Sequence, residues 1–113
     1  MSPRSARLAA PADAAPLFAA LGDETRLALM SRLGAGRPRS IAELARGMPV
    51  TRQAVTKHLR VLSHAGLVHD FRRGRERLWQ PEARRLAEAR LYLDAISKRW
   101  DDALARLKRY VEA

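Results

Sequence analysis

The segment SIAELARGMPVTRQAVTKHLRVLSHAG, residues 40–66, predicts two helices joined by a tight turn. Ser40 and Glu43 have the spacing of a capping box, which begins a short helix. Thr51 is a good N-cap for a longer helix that runs to Ala65. A short helix, a tight turn and a longer helix are typical of a helix-turn-helix unit.

The longer helix, residues 51–65, has two different faces when its residues are placed at about 100° intervals. Val55, Leu59 and Leu62 form an apolar face, and the opposite face is polar and basic with no acidic residue. Such a helix can bury one face and lay the other in the DNA major groove, with its N-terminal residues at the base edges. The alternative is an ordinary amphipathic helix with a solvated polar face. The candidate DNA contacts are Thr51, Arg52, Gln53, Thr56, Lys57 and Arg60.

Residues 67–80 predict a β-hairpin with a strongly basic tip. We expect one strand from Leu67 to Arg73, a turn at Gly74 and a returning strand from Arg75 to Gln80. The tip can straddle phosphates or enter a minor groove. The alternative is an edge hairpin whose charges discourage aggregation. The four basic candidates are Arg72, Arg73, Arg75 and Arg77.

Residues 81–112 predict one uninterrupted helix, with Pro81 at its first position. Apolar residues recur in alternating steps of three and four, which is the seven-residue repeat of a helical pairing seam. A helix of about 30 residues is roughly 45 Å long, more than this chain can cover alone. We expect pairing with a second copy; the alternative is a helix that folds back on its own domain. The candidate dimer contacts are Leu86, Leu93, Ile96, Trp100, Leu104 and Leu107.

The N-terminal part of the chain completes the predicted organisation. Residues 1–12 are expected to be a mobile tail, and residues 13–113 a single domain. A first helix should begin near Asp13, and a second should begin at an Asp23 cap. The apolar stripe expected on this second helix is Leu27, Met30 and Leu33. The predicted fold class is mainly α with a small β-hairpin, a winged helix-turn-helix with a long C-terminal helix.

The composition points to a polyanionic partner. The 113 residues carry a formal net charge of +10. Residues 31–80 hold most of it, with ten arginines and Lys57 against three acids, a net charge of +8. A basic excess confined to the middle of a small domain favours nucleic acid over a surface tuned for solubility. Neither a targeting segment nor a membrane span is evident, so we expect a cytoplasmic protein.

Several chemistries are not expected. The chain has no cysteine, so thiolate metal sites and cysteine nucleophiles are absent. His58, His64 and His69 do not share a helical face at ligand spacing, and we expect no metal and no cofactor. His58 lies at the edge of the apolar arc of its helix, where packing or a backbone hydrogen bond is favoured over base contact. No phosphate loop or His–carboxylate cluster is visible, which argues against an enzyme.

Five short motifs, in order, resemble the ArsR/SmtB family of bacterial winged-helix repressors over roughly residues 15–113. They are Leu21-Gly22-Asp23-Glu24-Thr25-Arg26-Leu27, Ile41-Ala42-Glu43-Leu44-Ala45, Val55-Thr56-Lys57-His58-Leu59-Arg60-Val61-Leu62, Ala65-Gly66-Leu67-Val68 and Arg73-Gly74-Arg75-Glu76-Arg77-Leu78-Trp79. The resemblance implies a homodimer that binds a palindromic operator in double-stranded DNA.

The chain departs from the metal-sensing members that it resembles. Those members bind metal through cysteines on the third helix, or through histidines and carboxylates on the last helix, and neither set is present. It looks more like the subgroup without a metal site, whose last helix carries a Trp-Asp pair, here Trp100-Asp101. We therefore expect a sequence-specific, homodimeric transcriptional repressor. The alternative is an architectural protein that binds nucleic acid without sequence preference.

Overall fold

The computed structural model describes residues 11–112, with side-chain environments from residue 14 onward. Its elements, in chain order, are α1 Pro11–Leu21, α2 Glu24–Leu33, α3 Ile41–Ala45, α4 Arg52–His64, β1 Val68–Arg73, β2 Glu76–Pro81 and α5 Ala83–Glu112. The predicted fold class is confirmed. Helix α1 begins at Pro11, before the expected Asp13, and the remainder of the predicted tail, residues 1–10, lies outside the described residues.

Helix α4 is placed by its apolar face. Val55, Leu59 and Leu62 are completely buried, as the helical periodicity predicts, against a core that receives Leu44 from α3 and Leu17 from α1. Each aliphatic side chain buried in this way contributes roughly 1.5–3 kcal/mol relative to an exposed one. The opposite face of α4 therefore has to point outward.

The stripe predicted on α2 is partly wrong. Leu27 is 54% exposed, whereas Leu29 and Leu33 are buried. Residues three apart drift around a helix by about 60° at each step, so Leu27, Met30 and Leu33 span about 120°. Leu29 and Leu33 are four apart and only about 40° from each other, so this pair faces the core.

The three predicted helix caps are confirmed. The Asp23 carboxylate accepts a hydrogen bond from the Arg26 N–H at 3.0 Å, and the Thr51 hydroxyl accepts one from the Ala54 N–H at 3.0 Å. Ser40 and Glu43 form a reciprocal capping box. These bonds satisfy backbone donors that a helix leaves unpaired at its start.

The hairpin differs from the prediction at its turn and at its base. Gly74 and Arg75 form its two-residue turn, so Arg75 lies at the apex and not in a strand. Gly74 has a φ of +62°, as the first position of a type II′ turn requires. Pro81 ends β2 opposite Val68 and does not begin the last helix. Proline has no N–H to donate, and a strand end tolerates that loss.

A backbone bridge that the sequence did not predict joins the hairpin to the helices. The Arg39 N–H donates to the Trp79 carbonyl at 2.9 Å, and the Trp79 N–H donates to the Arg39 carbonyl at 2.8 Å. Arg39 directly precedes Ser40, the cap of α3. The bridge therefore ties β2 to the start of the helix-turn-helix.

Helix α5 is packed only along its first part. Ala89 is buried, and the Phe18 and Tyr92 rings meet with centroids 5.9 Å apart where α1 crosses α5. Further along, Trp100 is 64% exposed and Tyr110 83% exposed. An apolar stripe thus continues beyond the surface that the chain itself covers. Over the described residues, no helix is long and apolar enough to cross a bilayer.

A pH-dependent contribution to stability follows from the capping box of α3. The Arg37 guanidinium, 2.6 Å from the Glu43 carboxylate, and then the Ser40 N–H lower the pKa of Glu43 from its usual 4.5 to about 2. A carboxyl group with a lowered pKa in the folded state stabilises the fold above its usual pKa. That contribution is lost as the pH falls from about 4.5 toward about 2.

Glu43→Gln should therefore weaken the pH dependence of stability. Glutamine keeps the length of the side chain but loses the charge, so the fall in the urea unfolding midpoint between about pH 6 and about pH 3 should be smaller than in the unchanged protein. Glu112→Gln, at the exposed end of α5, is the matched control. Equal falls in the unchanged protein and in Glu43→Gln would contradict the assignment.

Candidate nucleic-acid interface

The outward face of α4 carries long polar side chains in contact with solvent. Arg52, Gln53, Lys57 and Arg60 are exposed, and Thr56 is partly buried between them. Gln53, Lys57 and Arg60 stand on the side of the helix opposite Val55 and Leu59, which are fully buried. Arg52 is exposed in the first turn of the helix. The structure thus brings the helical candidates together on one surface, here termed the α4 face: Thr51, Arg52, Gln53, Thr56, Lys57 and Arg60.

Two threonines on the α4 face also have local roles. The Thr51 oxygen accepts the capping hydrogen bond from Ala54, so its O–H remains available as a donor. The Thr56 hydroxyl donates to the Arg52 carbonyl at 2.9 Å, so its oxygen remains available as an acceptor. Both oxygens can still accept from a ligand, but only the Thr51 hydroxyl has a proton left to donate.

Arg32 stabilises the turn between α3 and α4. The sequence analysis did not predict this role. Its Nη1 donates to the Leu44 carbonyl at 2.9 Å and also to the Arg46 carbonyl. These carbonyls lie where α3 ends and have no partners within the helix. Arg32 lies at least twelve positions away in the chain, which is why no local pattern reveals this contact.

Arg46 is a second basic residue that the sequence analysis did not single out. It lies with Arg52 on a groove of about 320 Å³ beside the turn, which Ala42, Ala45 and Val50 also line. Both arginine side chains are exposed. The basic surface therefore extends from the start of α4 onto the end of α3.

His58 is held against α2 and lies outside the α4 face. Its Nδ1 is 3.2 Å from Nη1 of Arg26 and 3.8 Å from Oδ2 of Asp23. The sequence predicted packing or a backbone hydrogen bond here, and the partner is a side chain. The same cluster affects Asp23, because the N–H of Arg26 holds the pKa of the Asp23 carboxyl below its usual value.

His69 and His64 are separate from His58. Nδ1 of His69 lies 3.0 Å from a Glu82 carboxylate oxygen without hydrogen-bond geometry, and its Nε2 lies 2.7 Å from Nε2 of Gln80. His64 is exposed in the last turn of α4. Within residues 14–112, no three histidine or acidic side chains come together in a group that could hold a metal ion.

The hairpin, here termed the wing, is anchored at the end of α4. Leu67 is fully buried, and its N–H donates to the Leu62 carbonyl at 2.9 Å. The N–H of Glu82 donates to the Leu67 carbonyl at 2.8 Å, which ties the end of the wing to the same point. The base of the wing is therefore fixed relative to the α4 face.

The four wing arginines have different surroundings. Arg77 pairs with Asp70 at 3.1 Å, and the guanidinium of Arg73 lies 5.6 Å from the centre of the Phe71 ring. Arg72 and Arg75 are exposed and make no ion pair or ring contact with the part of the chain that the structure describes. Arg75, at the apex, and Arg72 are thus the two guanidinium groups most available to a polyanion.

Comparisons with known proteins agree with this arrangement. A family model described as a helix-turn-helix domain matches residues 21–70. The HTH-type transcriptional regulator Rv2034 of Mycobacterium tuberculosis is 40% identical over 94 residues, which cover 83% of this chain and 84% of that protein.

Solved structures extend the comparison to nearly the whole chain. An ArsR-like transcriptional regulator from Rhodococcus sp. RHA1 is 36% identical with a TM-score of 0.71, and the match covers 96% of this chain and 95% of that one. The winged helix-turn-helix DNA-binding domain Mb0332 of Mycobacterium bovis, described as homodimeric, shares the fold at 24% identity and a TM-score of 0.63, over 94% and 93% of the two chains.

The chain belongs to the ArsR-like family of winged helix-turn-helix transcriptional regulators. It is a transcriptional regulator with a helix-turn-helix DNA-binding domain. Because its relatives are regulators, the expectation that it is not an enzyme is confirmed by family membership.

Arg75→Ala should weaken DNA binding without regard to sequence. A phosphate contact releases counterions, so its loss should reduce the salt slope of the binding constant by about 1. The measurement is the affinity for one duplex at several salt concentrations. Arg106→Ala removes the same charge from an exposed position on α5 and should leave the slope unchanged. Equal slopes in Arg75→Ala and the unchanged protein would argue against a phosphate contact at the apex.

Proposed function

We propose that this protein is a homodimeric, sequence-specific repressor that occludes a palindromic operator. The observation that carries the proposal is the α4 face, a row of exposed polar and basic side chains on a helix whose other side is fully buried. Such a helix enters the major groove with a fixed orientation, and a defined set of side chains reaches the base edges.

The α4 residues divide by chemistry into base contacts and backbone contacts. Gln53 can pair with adenine through its amide, and Arg52 can pair with guanine or hold a phosphate. Thr51, Thr56, Lys57 and Arg60 supply donors and acceptors for phosphate or base edges. The Thr51 hydroxyl can donate its proton to a phosphate oxygen while its own oxygen accepts the Ala54 N–H.

The wing supplies a second, largely electrostatic contact. Arg72, Arg73, Arg75 and Arg77 face the DNA backbone or a minor groove beside the α4 site. Arg75 makes the direct contact because it is at the apex, whereas part of the charge of Arg77 is offset by Asp70. The wing therefore adds affinity more than it adds sequence preference.

Self-association through α5 completes the DNA-binding unit. The exposed apolar stripe in the second part of α5 includes Trp100, Leu104 and Leu107 and continues from a first part that α1 covers. A second copy buries this stripe, and the M. bovis relative is described as homodimeric. The proposed contacts are Leu86, Leu93, Ile96, Trp100, Leu104 and Leu107. We treat residues 13–113 as a single DNA-binding and dimerisation domain.

A twofold dimer presents two α4 faces to successive major grooves, about 34 Å or one helical turn apart. A bound dimer then excludes other proteins from the promoter, which is repression by occlusion. The protein acts in the cytoplasm, where bacterial promoters are accessible.

Substitutions on the α4 face test the sequence preference. Duplexes selected by the protein from a random pool should contain an inverted repeat. Gln53→Ala and Arg52→Ala should each reduce the discrimination between selected and scrambled DNA by about 1–3 kcal/mol. Arg75→Ala is the contrasting variant, since it should weaken both duplexes and preserve their ratio. Equal affinity of the unchanged protein for both duplexes at physiological salt would favour an architectural, non-specific protein.

Trp100→Glu combined with Leu107→Glu should convert the dimer to a monomer. Both side chains are more than half exposed in the single chain, so the charges oppose association without disturbing the fold of the protomer. Analytical ultracentrifugation measures the mass, and circular dichroism checks the helix content. Ala105→Glu, exposed on the other side of α5, should remain dimeric. A dimer that persists in the double variant would refute the proposal that the apolar stripe of α5 forms the dimer interface.

A further inference from the structure

We propose that Arg26 positions the α4 face relative to α5, through hydrogen bonds that join the end of α1 to His58. The inference rests on the proposed function, because it concerns how two α4 faces are spaced in the dimer. Arg26 lies in the first turn of α2 and is partly buried between three helices. It would be a positioning residue with no contact to DNA.

The guanidinium of Arg26 connects two helices at once. Its Nε donates to the Ala20 carbonyl in the last turn of α1, and its Nη1 lies 3.2 Å from Nδ1 of His58 on α4. The backbone N–H of Arg26 is held by Asp23, which fixes the start of α2. A guanidinium group is planar and rigid, so two bonds from one group impose a defined geometry on their acceptors.

The direction of the hydrogen bond between Arg26 and His58 follows from which of the two groups can donate. A guanidinium group can only donate, so Nδ1 of His58 is the acceptor in this hydrogen bond. Asp23 does not compete for this atom, because its carboxylate oxygen is 3.8 Å from Nδ1, beyond hydrogen-bonding range. The oxygen of Asp23 is already used by the Arg26 N–H.

The other end of the connection reaches α5. Phe18 and Tyr92 have ring centroids 5.9 Å apart with an interplanar angle of 42°, which is within the range of favourable aromatic pairs. Leu17 and Ala20 are buried on the same helix, α1. The path therefore runs from α5 through α1 and Arg26 to His58 and α4.

Apolar packing alone does not set the position of α4 relative to α1. Helices α1 and α4 are also in contact through the core, but burial of apolar surface is non-directional and specifies no particular bond angle. Hydrogen bonds lose strength steeply when their angles change. Arg26 thus adds a directional restraint on the shift and tilt of α4 against α1 to the packing of the core.

The dependence of DNA affinity on the distance between the two half-sites of the operator reports directly on how firmly α4 is held relative to α5. A dimer with rigidly held α4 faces should discriminate against an operator in which one base pair has been inserted between the half-sites. His58→Ala should lower the ratio of the affinities for the two operators, without and with the insertion, by about threefold to tenfold, the value of one net hydrogen bond. Arg26→Met also loses the bond to the Ala20 carbonyl and should lower it by at least as much. The variant with both substitutions should be no worse than Arg26→Met alone, because that substitution already removes the bond to His58.

Matched variants distinguish a positioning role of Arg26 from a general loss of protein stability. His58→Gln restores an acceptor near the guanidinium and should recover the spacing preference. Arg90→Met, an arginine exposed on α5, should leave the preference unchanged. Thermal denaturation of each variant reports any loss of fold. If Arg26→Met does not fold, the comparison of His58→Ala with His58→Gln decides the matter.

Three results would overturn the inference. One is an unaltered spacing preference in folded Arg26→Met and His58→Ala. Another is a salt slope reduced by about 1 in Arg26→Met, which would indicate a direct phosphate contact. The third is a failure of His58→Gln to recover what His58→Ala loses. If the unchanged protein showed no preference for any inverted repeat, the proposed function itself would fail, which is a distinguishable result.

Discussion

The burial of one face of α4 is the constraint on which the rest of the structure depends. Val55, Leu59 and Leu62 are completely buried, and rotation of the helix about its axis would bring them into water. At roughly 1.5–3 kcal/mol for each side chain, such a rotation would cost much of the 5–15 kcal/mol by which domains are typically stable. The hydrophobic core therefore keeps Arg52, Gln53 and Lys57 at the surface, where a DNA groove can receive them.

Directional polar contacts add to the restraint that the core places on the positions of the helices and the wing. Arg32 closes the turn before α4, and the Arg39–Trp79 bridge ties the wing to the start of α3. Arg26 joins α1 to His58 at the side of α4. Each contact adds a directional restraint between elements that the apolar core already packs together. The core sets which face points outward, and the polar contacts set where that face lies.

The long C-terminal helix gives the domain two kinds of surface. Its first part is covered by α1, and its second part leaves an apolar stripe in water that includes Trp100 and Tyr110. The net positive charge is concentrated between residues 31 and 80. The charge and the apolar stripe thus lie on separate parts of the chain. The surfaces proposed for DNA binding and for self-association therefore do not compete.

Local patterns in the sequence predicted the helix caps at Asp23, Ser40 and Thr51, the outward face of α4 and the basic hairpin. Capping residues, helical periodicity and turn residues can each be recognised within a few positions of the chain. Tertiary structure alone decided the burial of Leu29 in place of Leu27 and the end of β2 at Pro81. It also decided the contacts of Arg26 with His58 and of Arg32 with the turn. Those partners are twelve or more positions apart, and a helical or strand period carries no information at that range. Only the packing of whole helices, which maximises apolar burial and satisfies buried donors, brings such residues together.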